Sequence, residues 1–461
     1  MTAEGNESKL RRSQYLGYAA GEVANNLTFQ MIAVFLLIYY TDVAGISASL
    51  AGTLLLVVRI AGGFTDLLAG RRVDETDTRW GRFRPYLLFG SVPLLVLLVV
   101  VFSIPGRLGG TATIAWAAVS YVFFSLVYSF VNIPYGSLAA AMTQEPGERA
   151  KLASSRAVSA GLTILLISVV VSPQIEGSDD LQRSLTLTTG VFAVVGLALY
   201  IWCFASSRES VRQAVETAGL RETAAMIRRN RPLMLLCAAT LLFLTGTFSL
   251  SAVGVFYARD VLGNADYYIA MTAAQTLTMV AAAALVPLVV LRLGKKRAYV
   301  LAGTVGAGAA IGFALSPGSM PALAIACYGI IGVGFGAINA LIFALQADTV
   351  EYGEWKSGIR AEGASYAILS FTRKAGQGIG GAAAAYTLGI GGYVSGASTQ
   401  TDSAVASIKI AAGIVPAIAV ACATAIMLVY PLTEKAFRAV VAELAERRSA
   451  RAVPPTAVGT V

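Results

Sequence analysis

Long apolar runs, separated by short polar or charged breaks, cover almost the whole of this 461-residue chain. Most runs hold about 20 residues or more, the length that an α-helix needs to cross the hydrocarbon core of a bilayer. Because the runs recur throughout the chain, a lone signal peptide or a single anchor is excluded, and no cleaved leader is expected. They predict twelve membrane-spanning helices, at residues 15–41, 46–70, 85–104, 111–143, 152–173, 185–207, 233–258, 264–291, 298–316, 320–347, 363–393 and 405–432.

A polar stretch at residues 208–232 interrupts this series after the sixth predicted helix. Its pattern predicts a cytoplasmic connecting segment that is partly an amphipathic helix. The chain therefore divides into a six-helix half at 1–207, this segment, a second six-helix half at 233–432 and a charged cytoplasmic tail at 433–461. The predicted fold class is an all-α membrane protein.

The composition makes a bilayer the natural solvent of the chain. Of its residues, 56% are hydrophobic and 13% are charged, with a mean hydropathy of +0.69. A water-soluble protein of this length could not cover its surface with so few charges. The four cysteines lie in apolar runs without paired metal or redox spacing, and histidine is absent. No metal site or cofactor is therefore expected, and any proton coupling must use carboxylates.

Positive charges are distributed unevenly among the predicted loops. Most of the 35 lysines and arginines lie in the two tails and in the loops after helices 2, 4, 6, 8 and 10. Such loops stay in the cytoplasm, so both termini are predicted to be cytoplasmic in the inner, or plasma, membrane. This topology accounts for the net charge of +9. A nucleic-acid partner is rejected because no soluble domain is available to bind one.

One short motif occurs twice, half a molecule apart, in the loops after helices 2 and 8. Its first copy contains Arg79, Gly81, Arg82 and Arg84, and its second contains Arg292, Gly294, Lys295 and Arg297. Symmetry of this kind between two six-helix halves resembles the major facilitator superfamily, which implies that the two loops contact helix ends and lock the inner face. The alternative is a pair of ordinary positively charged cytoplasmic loops.

Six charged side chains lie within the predicted helices. A charge near the centre of a membrane helix costs about 3 kcal/mol on insertion scales, so each one is a candidate functional residue. The alternatives are a buried ion pair that only fixes helix packing, or a side chain that reaches from a helix end to water. The six residues are Glu22, Arg59, Asp66, Arg156, Arg373 and Lys374.

Helical spacing relates these charges to one another. Arg59 and Asp66 are seven residues apart, about two turns, so they share one face of helix 2. Arg373 and Lys374 are adjacent and diverge by about 100°. Only one of them can face a central cavity, and we expect it to be Lys374. The positions together predict a polar core formed by helices 1, 2, 4, 5 and 11.

Six segments carry a family resemblance: GEVANN (21–26), YYTDVAGI (39–46), RWGRFRPYLLFG (79–90), VNIPYGSLAAAMTQ (131–144), DTVEYGEWKSGIRAEG (348–363) and SFTRKAGQGIGG (370–381). They resemble the glycoside–pentoside–hexuronide:cation symporter family, a branch of the major facilitator superfamily. The resemblance extends over nearly the whole chain. The residues of these segments are more similar to the glucuronide-carrier branch than to the melibiose-permease branch, which implies a uronide-like substrate. Asp348 and Glu351 of the fifth segment are included among the predicted gating residues.

The resemblance implies roles for several residues of the polar core. The family's sugar-contacting acid in helix 1 corresponds to Glu22, and its counterpart in helix 4 corresponds to Asn132. Arg156 and Lys374 match the family's cationic positions in helices 5 and 11. Further predicted contacts to the sugar are Asn26, Tyr128 and Gln377.

The coupling ion is where the sequence departs from the family. In sodium-coupled members helix 2 supplies two carboxylates one turn apart, whereas here Gly62 stands at the first position and Asp66 at the second. Sodium is a hard cation that needs several oxygen ligands, while a proton needs only one acid of raised pKa. A proton is therefore favoured over sodium, and the absence of coupling stays open. Glu22 and Arg59 are predicted to assist Asp66.

These features predict a secondary active transporter for a sugar glycoside, a glucuronide or related hexuronide, that moves together with a proton or a sodium ion. Two acids oppose three cations in the predicted cavity, and this surplus of positive charge would accept an anionic sugar. An exporter of a glycosylated metabolite or drug is one alternative, since a fold does not fix function. A sugar sensor that binds without transport is another. The chain is expected to be a monomer and not an enzyme.

Overall fold

Thirteen helices make up the regular structure of the computed structural model, which describes residues 10–106, 108–143, 145–209, 229–358, 362–395, 397 and 399–452. The first twelve correspond one to one with the twelve predicted helices. The thirteen are α1 (Arg12–Val43), α2 (Ala48–Asp74), α3 (Arg84–Val101), α4 (Gly110–Met142), α5 (Pro146–Gly177), α6 (Leu181–Ser206), α7 (Arg231–Val261), α8 (Tyr267–Leu293), α9 (Lys295–Leu315), α10 (Pro321–Ser357), α11 (Glu362–Ile390), α12 (Asp402–Leu428) and α13 (Glu434–Ala452).

Eleven of the first twelve helices are long and apolar enough to cross a membrane. The exception among the described helices is α11, which carries Arg373, Lys374 and Gln377. A helix with such polar positions crosses a bilayer only when neighbouring helices shield them from lipid. In agreement with this, α11 packs closely against α2 and α7.

Two helices extend well beyond their predicted limits because polar residues continue the helix outside the apolar run. Helix α5 begins at Pro146 rather than at residue 152, since proline suits the first position of a helix and the side chain of Glu145 caps that end. Arg156 therefore lies well inside α5, not about one turn from its start. Helix α10 continues to Ser357 instead of stopping at residue 347, and Gly358 ends it with φ of 73°.

The predicted charged tail contains helix α13, which lies against the end of α10. The Trp355 indole Nε1 donates a hydrogen bond to Glu443 Oε2 at 2.7 Å. The ammonium of Lys295 lies 4.9 Å from the centroid of the Phe437 ring. These contacts make the tail part of the folded bundle.

The predicted connecting segment is described only at its two ends, because residues 210–228 lie outside the described part of the chain. At its start, the Glu209 carboxylate accepts hydrogen bonds from the backbone N–H groups of residues 82, 83 and 84, at 2.8, 2.8 and 3.0 Å. These groups open helix α3, and a negative charge at a helix N-terminus is stabilising. The amphipathic helix expected in this segment stays a prediction.

The first six helices meet the last six through α2 against α11, α5 against α8 and α1 against α7. Glycines allow this close approach. A Cβ atom added at Gly52 would lie 2.7 Å from the Cβ of Ala385 across the α2–α11 contact. One added at Gly378 would lie 2.8 Å from the Cβ of Arg59. The two backbones therefore set the distance between the halves over much of α2.

A cluster of four polar residues joins the halves at the end of the bundle opposite the start of α1 and the end of α12, which we call the far end. Asp42 accepts hydrogen bonds from Arg259 Nη1 at 2.6 Å and from the Tyr393 hydroxyl at 3.0 Å. Arg259 also pairs with Asp260 at 2.9 Å. Asp42 and Arg259 lie in wide π-helical turns that end α1 and α7. Such turns often occur at functional sites. We call these four residues the far-end cluster.

Further contacts between the halves lie close to this far end. Several hydrogen bonds and ion pairs between the halves lie between the level of the Lys374–Asp66 pair and the far end. Near the far end, Glu176 in α5 accepts a hydrogen bond from the backbone N–H of Ala265 at 2.9 Å. The far end is therefore held closed by contacts on both sides of the bundle.

We predict that Gly52→Ala destabilises the protein, whereas Gly70→Ala in the same helix does not. The methyl group at position 52 would overlap with Ala385, and overpacking costs about 1–3 kcal/mol. A methyl group at position 70 would meet open space. Both changes gain the same helix propensity, so the difference between them reports packing. Thermal unfolding of the two purified variants is the measurement, and equal unfolding temperatures would contradict the close α2–α11 contact.

Candidate functional site

An ion pair within the first half forms one side of the polar core. Arg156 Nε in α5 lies 2.7 Å from Glu22 Oε2 in α1. The Asn26 side chain donates a hydrogen bond to the other Glu22 oxygen at 2.9 Å, and the Arg156 guanidinium lies 5.3 Å from the centroid of the Tyr135 ring. Glu22 is buried, with 6% of its surface exposed. Both of its carboxylate oxygens are therefore occupied by partners from the protein itself.

A separate network of amide and phenol groups joins α1 to α4 and α6. The Asn25 side chain donates to Asn132 Oδ1 at 2.9 Å and to the Tyr128 hydroxyl at 3.3 Å. The Tyr200 hydroxyl donates to Asn25 Oδ1 at 3.4 Å. Asn132 is thus a neutral hydrogen-bonding partner of α1.

A second ion pair joins the two halves. Lys374 Nζ in α11 lies 2.6 Å from Asp66 Oδ1 in α2. The same ammonium donates to the backbone carbonyl of Gly62 at 3.1 Å and to Ser129 Oγ at 3.4 Å. Ser129 in turn shares a 2.9 Å hydrogen bond with Thr65. Oxygen atoms from α2 and α4 therefore surround the ammonium of an α11 lysine.

Gly62 shapes this arrangement because it has no side chain. A Cβ added at position 62 would lie 2.7 Å from Ser125 Oγ and 3.7 Å from Lys374 Nζ. The lysine ammonium consequently lies beside the place where a carboxylate at position 62 would project. The cation that neutralises Asp66 in this structure is therefore the Lys374 ammonium.

Arg59 has surroundings that differ from those of the other two core cations. Its Nη1 donates to Gln377 Oε1 at 3.1 Å, across the α2–α11 contact. Its guanidinium carbon lies 4.9 Å from the centroid of the Phe29 ring and 5.8 Å from that of Phe248. No acidic side chain within the described residues forms an ion pair with it. Of the three cations Arg59, Arg156 and Lys374, it is the one without an acidic partner among the described residues.

A cavity opens between α1, α2, α4 and α11, with aromatic rings and two cations in its wall. Aromatic surface with a few polar groups is the lining typical of a site for a small organic ligand. In this conformation the open volume is about 20 Å³, room for about one water molecule, so a sugar enters only when the helices around the cavity move apart. The lining residues are Phe29, Ile32, Arg59, Gly62, Tyr121, Phe124, Ser125, Tyr128 and Lys374.

The structure brings only part of the predicted site into this cavity. Tyr128, Arg59 and Lys374 line it. Glu22 and Asn132 do not, but the Asn25 amide connects Asn132 directly to the Tyr128 hydroxyl. Sequence reasoning missed Phe29, Ser125 and Ser129. Aromatic and serine residues in an apolar run carry no signal of their own, so their position could only be found from the packing.

The two adjacent cations of α11 point to different neighbours. Lys374 faces α2 and the cavity, whereas Arg373 Nη1 donates to Asn339 in α10 at 3.4 Å. The Arg373 guanidinium also lies 5.1 Å from the centroid of the Phe343 ring. This divergence is what helical geometry requires of neighbouring residues.

The predicted gating loops make contacts within their own halves. Arg84 donates to the backbone carbonyl of Phe204 at 2.8 Å, and Lys295 Nζ lies 2.7 Å from Asp348. The two motif glycines, Gly81 and Gly294, both have positive φ, at 103° and 77°. Side chains are strained in that region, so glycine is favoured at both loops. A gating role for these loops stays a prediction.

The far-end cluster was outside the predicted site. Its signals were present in the sequence, since Asp42 lies in the YYTDVAGI segment and Arg259 is one of few cations in the loops expected on the outer side. What the sequence could not show is that the two residues meet from α1 and α7, and that Tyr393 joins them.

Comparison with known proteins identifies the family of the chain. The MFS/sugar transport protein family matches residues 17–434. The chain is 41% identical to the glucuronide carrier protein homolog of Escherichia coli (strain K12), covering 94% of this chain and 95% of that protein. It is 31% identical to the isoprimeverose transporter of Lactiplantibacillus pentosus, covering 83% of this chain and 81% of that protein.

A solved structure shows the same fold at low sequence identity. The crystal structure of the nucleoside transporter NupG covers 91% of this chain and 100% of its own, with a TM-score of 0.66 and 15% identity. The predicted twelve-helix fold and the family resemblance are both confirmed. The chain therefore belongs to the MFS/sugar transport family, a group of membrane transporters within the major facilitator superfamily.

Proposed function

We propose that this sugar transporter is a symporter that moves a glucuronide or related hexuronide together with a proton by alternating access. The observation that carries the proposal is the Lys374–Asp66 pair, which joins the two halves beside the cavity at 2.6 Å. An ion that neutralises Asp66 removes the attraction across the α2–α11 contact. Ion binding and the movement of the halves are then linked through one pair of residues.

The surroundings of Asp66 favour a proton over sodium. Sodium would need several oxygen ligands, and the oxygens that could supply them, from Gly62 and Ser129, are hydrogen-bonded to the Lys374 ammonium. A second cation at this position would be repelled unless that lysine moved away. A proton needs only the carboxylate of Asp66. Sodium coupling is the alternative, and uptake under an imposed sodium gradient distinguishes it from proton coupling.

The substrate class rests on charge and on the relative's name. One cation in the wall of the cavity, Arg59, has no acidic partner within the described residues, so an anionic sugar would meet uncompensated positive charge. The 41% identical protein is a glucuronide carrier homolog. A glucuronide, which carries one carboxylate, satisfies both observations.

The conformation supports alternating access once the topology is assigned. With both termini in the cytoplasm, as the distribution of lysine and arginine predicts, the far end faces the outside. The far-end cluster then closes the outer side of a monomeric transporter in the inner membrane. Opening to the outside requires the Arg259–Asp42 pair to separate.

The first test is uptake of a labelled glucuronide into proteoliposomes with an imposed proton gradient, a sodium gradient or neither. Uptake should accumulate substrate only under the proton gradient. We expect Asp66→Asn to abolish accumulation while substrate exchange without a gradient continues, because asparagine cannot take up a proton. Asp402→Asn, at an exposed position in the first turn of α12, is the matched control. Equal uptake under all three conditions would exclude coupling, and vesicles of known sidedness separate import from export.

The second test concerns the far-end cluster. Arg259→Gln should weaken the closed outer end, so that a cysteine placed at Ser125 in the cavity reacts faster with a membrane-impermeant maleimide added outside intact cells. The four native cysteines are first replaced by alanine. Arg183→Gln, a change at the same end of the bundle outside the cluster, should leave the labelling rate unchanged. Identical labelling rates in all three proteins would show that the cluster does not hold the outer side closed.

A further inference from the structure

The three cations of the polar core differ in what neutralises them. Arg156 is paired with Glu22 at 2.7 Å and Lys374 is paired with Asp66 at 2.6 Å. Arg59 has an amide oxygen and two aromatic rings as its partners. A guanidinium stays charged at any physiological pH. The core therefore holds one uncompensated positive charge among its described residues, and its position is known.

Most of the hydrogen-bonding capacity of Arg59 is unused by the described protein. A guanidinium carries five N–H donors, and the one hydrogen bond found for this side chain goes from Nη1 to Gln377 Oε1. The rings of Phe29 and Phe248 attract the cation through their faces without taking up these donors. They hold the guanidinium in place while leaving its edge available.

The position of Arg59 brings this capacity to the ligand. Arg59 lines the cavity together with Phe29, Tyr128 and Lys374. The planar fork of a guanidinium matches a carboxylate through two parallel hydrogen bonds, which an ammonium cannot reproduce. An aromatic wall beside this fork can cover the apolar face of a sugar ring.

We infer that Arg59 binds the carboxylate of the substrate and thereby selects hexuronides over neutral glycosides. This inference rests on the proposed function, and it gives Arg59 a role in substrate selection where the sequence had suggested ion coupling. Gln377 acts as a positioning residue, because its carbonyl oxygen fixes one nitrogen of the guanidinium.

The paired cations are poorer candidates for this role. To bind the carboxylate, Arg156 would have to share its charge with buried Glu22, and Lys374 with buried Asp66. Leaving one member of a buried ion pair without its partner is strongly unfavourable. Arg59 can accept an anion without breaking either pair.

The inference predicts how substrate preference changes in Arg59→Gln. Equilibrium exchange without any gradient, which does not depend on ion coupling, is measured for an aryl β-glucuronide and for the β-glucoside with the same aglycone. The wild-type protein should prefer the glucuronide. In the variant, KM for the glucuronide should rise about tenfold to a hundredfold, the effect expected for the loss of a charged hydrogen bond, while KM for the glucoside changes little.

Two further variants make the result decisive. Arg373→Gln makes the same arginine-to-glutamine change at a position that faces α10 instead of the cavity. It should leave the ratio of the two KM values unchanged. Arg59→Lys keeps the charge but loses the fork, so its ratio should fall between those of the wild type and Arg59→Gln. If thermal unfolding shows that Arg59→Gln does not fold, the test rests on Arg59→Lys. A ratio of the two KM values in Arg59→Lys equal to that of the wild type then overturns the inference.

The possible outcomes separate this inference from the proposed function. Equal loss of both substrates in Arg59→Gln, or a wild-type protein with equal KM for both, overturns the role of Arg59 while sugar transport stands. A wild-type protein that exchanges neither compound contradicts the proposed substrate class itself. A selective loss of the glucuronide in the variant supports both.

Discussion

A positive charge in the middle of an apolar bundle needs a partner, and the Lys374–Asp66 pair meets this need by joining two halves of the molecule. Neither charge is stable among membrane helices alone. Each half therefore presents an ion that only the other half neutralises. The close α2–α11 packing, made possible by glycines such as Gly52 and Gly378, brings the two ions within reach. Arg59 and Gln377 meet across the same contact between α2 and α11.

The sequence predicted the helices well and their ends less well, for one physical reason. Hydropathy reports which residues contact lipid, whereas a helix continues for as long as its backbone hydrogen bonds are satisfied. Helix α5 therefore starts at Pro146, six residues before its apolar run, and α10 continues to Ser357 through a polar stretch. The helical tail α13 was missed because polar helices leave no hydropathy signal and form by packing against a neighbour.

The candidate site shows the same division between chemistry and geometry. Charged residues in apolar runs identified Glu22, Asp66 and Lys374 because such charges are rare. Their pairing was not predictable, since Glu22 meets Arg156 across 134 positions of sequence, and only the packed helices determine which faces meet. A count of charges did predict a surplus cation. The structure assigns the surplus to Arg59, and no spacing rule could have done so.

Arg59 and Asp66 share one face of α2, and both reach across to the same stretch of α11, at Gln377 and Lys374. The proposed ion site and the proposed carboxylate site therefore act on a single interface. A proton on Asp66 weakens one contact across it. A substrate carboxylate would bind the free donors of Arg59 beside the other contact, which Arg59 makes with Gln377. Each ligand acts at one of these two neighbouring contacts, so the binding of either ligand can influence the other through the α2–α11 interface. Coupling of this kind requires no long-range pathway, because the two sites lie about two helical turns apart on one helix.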